Sequence, residues 1–307
     1  MIYGILAAGI LAVLLLAVYW CYRMAFYADR SVPQEEYPLP KGKIYEPCRE
    51  QIKQWICQIR EMPHENVEIT SFDGLKLRGR FYEYAPDAPI ELLFHGYRGT
   101  SEQDMSGGVL RCHLVGHSAL LVDQRACGAS EGNKITFGIN ESKDCLSWID
   151  YVQQRFGTQR KLILCGMSMG AATVLMAAGK PLPSSVVGVL ADCGYTSPKE
   201  IICKVIRQMK LPPKLCYPFV RLGARLFAGF DLEEDSPLEA MSRCQVPVIL
   251  FHGESDDFVP CDMSRRNFEA CSAKKELVTV PGAGHGLSYF VQPERYLQAV
   301  RDFFREV

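Results

Sequence analysis

The chain has 307 residues, 48% of them hydrophobic and 22% charged, with 34 basic against 35 acidic side chains. A chain of this length buries roughly three-quarters of its surface on folding, which excludes a disordered tail, a collagen-like repeat and a small disulfide scaffold. The net charge of −1 argues against a nucleic-acid partner, which draws a strongly basic face. The 13 cysteines are odd in number and scattered, with no Cys-x-x-Cys pair, and read as reduced structural thiols.

The first 22 residues carry no charged side chain and end in Tyr19, Trp20 and Tyr22. About 20 residues at roughly 1.5 Å each cover the ~30 Å of a bilayer core, and aromatic rings suit its boundary. A cleaved signal peptide needs a basic start and a small-residue cleavage site, but no Lys or Arg precedes Arg23 and the flank is bulky. Residues 1–22 are therefore expected to form a single-pass membrane anchor. Arg23, Arg30, Lys41 and Lys43 follow it, which places the rest of the chain on the cytoplasmic side. Reduced cysteines favour the same compartment.

Residues 23–62 read as a linker and a docking helix. Ser31 to Pro40 holds three prolines and predicts a semi-extended spacer. Ile52, Trp55, Ile56 and Ile59 then recur at helical spacing between Glu46 and Arg60, which predicts a helix with one apolar face against the core.

Residues 63–307 form the expected main domain. Val67–Phe72 and Leu75–Tyr82 alternate around Asp73-Gly74 and predict a hairpin. Short apolar runs follow at 90–94, 119–122, 162–165, 186–190, 246–251 and 277–280. Helical stretches lie among them at 140–155, 171–179, 262–272 and 293–305. Continuous apolar runs that alternate with helices imply strands buried on both faces of a parallel sheet. The expected fold is α/β, an eight-stranded, mostly parallel sheet with an antiparallel N-terminal hairpin and helices on both faces.

In Leu162-Ile-Leu-Cys-Gly166-Met-Ser168-Met-Gly170-Ala-Ala, a strand runs straight into Gly-x-Ser-x-Gly and out into a helix. Such a turn lifts the hydroxyl clear of the sheet at a helix N-terminus, and glycines at its flanks let strand and helix approach. Gly128-Ala-Ser130-Glu-Gly132 matches the same five-residue pattern but lacks the strand before it and the helix after it. Ser168 is the candidate nucleophile. A serine needs a base held by a carboxylate. His285, in Pro281-Gly-Ala-Gly-His-Gly after the last strand, is the candidate base. The acid is sought between the two, following the chain order Ser, acid, His. Asp256 in His252-Gly-Glu-Ser-Asp-Asp is favoured, with Asp192 and Asp257 as alternatives. The N–H groups of Tyr97, in His95-Gly-Tyr-Arg-Gly, and of Met169 are the candidate oxyanion donors.

At these residues the chain resembles the α/β-hydrolase superfamily, from about residue 63 to the end. Ser168, Asp256, His285 and the His-Gly-Tyr-Arg-Gly loop match that family's nucleophile, acid, base and oxyanion positions. Asp123-Gln-Arg125-Ala-Cys-Gly-Ala-Ser130-Glu-Gly looks like a structural loop of the same family. The overall likeness is to membrane-anchored bacterial hydrolases of the esterase and prolyl-oligopeptidase-like groups, without a propeller domain. The resemblance implies a serine hydrolase acting on a small-molecule ester or acyl substrate, lipid-like and thioester groups included, with no cofactor and no metal. An aminopeptidase, with Glu254 or Glu131 holding a substrate amine, and a non-catalytic binding module are the competing expectations. Residues 197–237 carry two further stretches with apolar faces, at 198–210 and 218–230, and are expected to form a helical cap, its faces either covering an apolar pocket or packing on the core.

Overall fold

The computed structural model describes residues 1–31 and 35–305, so part of the predicted spacer, residues 32–34, lies outside the described residues. The chain opens with α1 (Ile2–Ala25), a helix about 36 Å long by its residue count. Its most apolar stretch has a mean hydropathy of 2.5, and within α1 only Val18 and Tyr22 are buried. A 3₁₀ turn at Lys43–Cys48 leads into α2 (Arg49–Glu61), which turns Ile52, Ile56 and Ile59 inward.

The hairpin follows as β1 (Glu65–Thr70) and β2 (Lys76–Tyr82). Then come β3 (Ile90–Phe94), α3 (Ser101–Leu114), β4 (Ser118–Val122), α4 (Ile139–Phe156), β5 (Leu162–Met167), α5 (Met169–Ala178) and β6 (Val186–Asp192). The chain continues through α6 (Pro198–Gln208), α7 (Pro213–Gly223), α8 (Pro237–Arg243), β7 (Val248–Gly253), α9 (Cys261–Ala270), β8 (Lys275–Val280), α10 (Ser288–Val291) and α11 (Pro293–Phe303).

The eight strands form one sheet in the order β1-β2-β4-β3-β5-β6-β7-β8. β1 pairs antiparallel with β2 and β2 with β4; every other pairing is parallel. This is the expected α/β-hydrolase arrangement. Alternation along the strands divides the core into two layers. Leu92, Leu164 and Leu250 face α4, α5, α8 and α9, whereas Leu93, Ile163 and Ile249 face α2, α3 and α11. Leaving β3 and β5 at their carboxyl ends, the chain reaches the crevice where the site is built.

The second cap helix starts five residues before its expected position at Pro218. Pro213 takes the first helical turn, where its missing N–H costs nothing, and Pro218 is carried inside the helix. The C-terminal part of α1 packs against this helix: a Cβ built on Gly223 would lie 2.9 Å from the Val18 carbonyl oxygen. Phe26, fully buried, sits edge-on between Phe137 and Phe230 at 5.8 and 5.4 Å. The residues just after α1 therefore belong to the core.

One charged cluster is buried in the layer between β3 and α3. Glu91 is gripped by both terminal nitrogens of Arg111, and His117 Nδ1–H donates to Glu91 Oε1 at 2.7 Å. Burial alone would raise Glu91, but Arg111 and His117 outweigh it and bring its pKa down to about 2. A carboxyl held below its unfolded value adds stability above that value and loses it as pH falls toward the folded one. Thermal denaturation should therefore show the wild type losing stability between about pH 4.5 and 2 through this cluster. Glu91→Gln should remove that share of the pH dependence and cost about 3–5 kcal/mol at neutral pH, because Arg111 is left buried without its partner.

Candidate active site

Ser168 lies at the junction of β5 and α5 with φ +56° and ψ −115°, a conformation that side chains other than glycine rarely adopt. Two contacts force it. A Cβ on Gly166 would come within 2.2 Å of the Gly170 carbonyl oxygen, and one on Gly170 within 2.1 Å of the Phe94 carbonyl oxygen. Only glycine fits at either flank, so strand and helix meet at a sharp corner with the serine at its tip. The Ser168 N–H donates to the Asp192 carbonyl at 2.8 Å, which ties the corner to β6.

His285 is carried by the loop after β8, between glycines at φ +74° (Gly282) and +67° (Gly286). Its Nε2 lies 2.9 Å from Ser168 Oγ and its Nδ1 2.7 Å from Asp256 Oδ2. With the Nδ1 proton directed at the carboxylate, Nε2 is left to accept the serine hydroxyl proton. The other Asp256 oxygen accepts from the N–H groups of Phe258 and Val259 at 2.9 and 2.8 Å. Burial would raise Asp256, but hydrogen bonds from His252 and His285 overcome it and hold the carboxyl well below the usual range. The group is thus ionised and oriented.

The other candidate acids are placed elsewhere. Asp192 accepts from Ser288 Oγ at 3.1 Å, and burial pushes its carboxyl up. Asp257 is exposed, and its carbonyl oxygen accepts from Lys204 and Gln208. Ser130, the decoy, donates to the Asp123 carbonyl at 2.6 Å and accepts from the Arg78 N–H at 2.8 Å, inside a closed loop. Glu131 accepts from the Lys76 N–H and Glu254 from Thr279 Oγ1, and neither lines the cavity at Ser168.

The loop with Tyr97 abuts the corner, since a Cβ on Gly96 would lie 3.5 Å from Ser168 Cβ. Asp104 Oδ2 accepts from the Gly96 N–H at 2.8 Å, and the loop turns through Arg98 at φ +56°. Among the described hydrogen bonds, no protein acceptor is taken by the N–H of Tyr97 or of Met169. One set of contacts here carried no sequence signal. Tyr97 Oη donates to the Ala25 carbonyl at 2.8 Å, and Arg98 donates to the carbonyls of Met24 and Tyr27 at 2.8 and 3.0 Å. The carboxyl end of α1 is thereby satisfied by the loop that borders Ser168. His252, which closes β7 as His-Gly, is fully buried; its Nε2 donates to the Val259 carbonyl and lies 3.3 Å from Asp256 Oδ2.

Among the described residues, the one group that could hold a metal ion is Cys193, Asp256 and His285, with donor atoms within 4.8 Å of one another. Two of the three already bond each other, and burial with nearby Asp192 and Asp256 pushes the Cys193 thiol well above its usual value. The set therefore suits proton handling better than metal binding.

A cavity of about 510 Å³ opens at Ser168 and His285. For the cap helices the sequence leaves two expectations, a roof over this cavity or packing on the core. In the structure α6 and α7 pack against Met169, Phe137 and Tyr22 and contribute no lining residue. Their apolar faces are consumed by packing on the carboxyl end of α1 and on α5.

A sequence model described as the Alpha/beta hydrolase family matches residues 92–299. The uncharacterized protein YqkD of Bacillus subtilis is 26% identical over 250 residues, covering 78% of this chain and 80% of that protein. The uncharacterized membrane protein YNL320W of Saccharomyces cerevisiae is 25% identical over 249 residues, covering 80% and 81%. Among solved structures, the Pyrococcus furiosus esterase Pf2001 superposes with a TM-score of 0.67 at 22% identity, over 90% of this chain and 99% of that one. Est1E of Butyrivibrio proteoclasticus with bound ferulic acid does so at 0.61 and 20%, over 78% and 98%. At such identities these structures share the fold.

Proposed function

We propose that this chain, which belongs to the alpha/beta hydrolase family, is a serine hydrolase that cleaves a carboxylic ester through an acyl-enzyme. The observation that carries this reading is the continuous hydrogen-bonded line from Ser168 Oγ through the His285 ring to an ionised Asp256, at a serine held at positive φ. His285 takes the hydroxyl proton as Ser168 Oγ attacks the ester carbonyl. The N–H groups of Met169 and Tyr97 receive the developing oxyanion, each worth about 10²–10³ in rate. Asp256 fixes the imidazole tautomer and stabilises the imidazolium, which then protonates the departing alkoxide. Water, deprotonated by the same ring, releases the acid.

Esters rank above peptides because the two carboxylates that were to hold a substrate amine are engaged away from the cavity. The esterases among the structural neighbours agree with that ranking. In this reading α1 tethers the enzyme to a bilayer with the catalytic domain on the cytoplasmic side. The uncharged stretch before Arg23 supports the tether, as does the name of the yeast relative, and the basic residues after it support the side. The test is a panel of p-nitrophenyl esters and aminoacyl p-nitroanilides on the full-length chain in detergent. The esters should turn over readily and the aminoacyl anilides not at all. Efficient anilide turnover, even beside faster ester turnover, would replace the esterase reading with a peptidase one, because activated esters are intrinsically the more reactive.

A further inference from the structure

With the cap absent from the cavity, its walls come from a different part of the chain. One wall is Pro40–Tyr45 together with Ile52 and Trp55 of α2; the other is α3 and the α10 region, through Met105, Leu287 and Phe290. The first wall precedes residue 92, where the match to the hydrolase family begins.

This wall is fixed, not a loose cover. Trp55 lies directly on Gly107 of α3, where an added Cβ would meet the indole at 2.7 Å. The same indole stacks on Tyr289 with centroids 5.9 Å apart and meets Phe290 edge-on at 6.1 Å. Arg60 of α2 donates twice to Glu102 of α3, at 3.0 and 2.6 Å, which pins the two helices together. Ile44 reaches the loop that carries His285, with its Cδ1 3.7 Å from where a Cβ on Gly284 would lie. Tyr45 lines the same wall. Burial raises its hydroxyl, helped by Cys193, Asp104 and Asp256 beside it.

The lining also says what enters. It is carbon-rich, and its two deepest charged groups already have partners: Arg111 is held by Glu91, and Asp192 by Ser288. Lys41 and Lys43 line only the exposed rim, so a charged acyl group would find no free partner in the interior, whereas each methylene buried there gains by leaving water. The volume far exceeds an acetyl group and falls in the range of sites that enclose a whole ligand.

We infer that residues 40–55, with α3 and α10, form an acyl subsite for an aliphatic chain, and that Trp55 sets the preference for chain length. The inference rests on the esterase reading and adds the substrate class to it. The full-length chain in detergent is assayed with p-nitrophenyl acetate and octanoate, which share a leaving group, and with octyl acetate, which carries the chain on the alcohol. The octanoate-to-acetate ratio of kcat/KM is expected to be about tenfold or more. Trp55→Ala should lower that ratio at least about fivefold. Ile44→Trp, at the exposed rim, should also lower it by narrowing the entrance, and this variant decides the matter if Trp55→Ala fails to fold by circular dichroism. A flat chain-length profile in the wild type, or ratios unchanged in both variants, would overturn the subsite while leaving the esterase reading intact. A response confined to octyl acetate would assign the cavity to the alcohol and overturn the acyl assignment. Failure to hydrolyse any ester would remove the esterase reading and the subsite with it.

Discussion

Ser168→Ala is expected to lower ester turnover by about 10⁴-fold or more, the loss seen when an activated nucleophile is deleted and only binding and oxyanion contacts remain. The size of the effect follows from the absence of a substitute. The nearest other nucleophile, Cys193, is kept protonated by burial and by Asp192 and Asp256, and its neighbour His285 is already committed to Asp256. The variant should fold normally, since the Ser168 side chain contributes one hydrogen bond and the corner is held by backbone contacts and by Gly166 and Gly170. Turnover within about tenfold of wild type would remove Ser168 from the mechanism.

Asp256→Asn should cost about 10³–10⁴ in kcat with a smaller change in KM. The shape of the site is preserved, but an amide can present its NH₂ to His285 Nδ1. That stabilises the tautomer with its proton on Nε2, which cannot accept from Ser168. Asp256 also receives two backbone N–H groups and lies beside His252, so the substitution disturbs a set of donors arranged for a negative charge. Asp257→Asn is the control: that side chain is exposed at the cavity rim and has no hydrogen bond to His285 among the described contacts, so turnover should stay near wild type. A larger loss in Asp192→Asn than in Asp256→Asn would mean that the acid had been assigned to the wrong strand.

The parts of the molecule legible in the sequence are those in which local pattern and chemistry coincide. The strand-to-helix change at Gly166–Gly170 is written in the residues because close approach at both glycines leaves no alternative. Ser130 could be set aside on the same ground, as its neighbours offered neither a strand nor a helix, and it is indeed locked into a loop by Asp123 and Arg78. The strands of the sheet interior were visible because burial on both faces leaves uninterrupted apolar runs.

What escaped the sequence was long-range. A helix as uniformly apolar as α1 displays no preferred face, so nothing announced that Val18 and Tyr22 would pack on α7 or that Tyr97 and Arg98 would satisfy its last carbonyls. Pro218 marks a helix start by its residue type, but Pro213 supplies one five residues earlier. The segment at 40–45 has no periodicity, and its place in the cavity wall depends on Trp55 finding a glycine about 50 residues away. The apolar faces of the cap predicted burial but left open whether the pocket or the core would bury them.

The central claim, that His285 and Asp256 make the Ser168 hydroxyl reactive, is tested most directly by treating the full-length chain with an alkyl fluorophosphonate and mapping the adduct by peptide mass spectrometry. The account predicts one phosphonyl group on the peptide containing Ser168, lost in Ser168→Ala and formed far more slowly in Asp256→Asn. An unmodified chain, or an adduct on another residue that persists in Ser168→Ala, would contradict it.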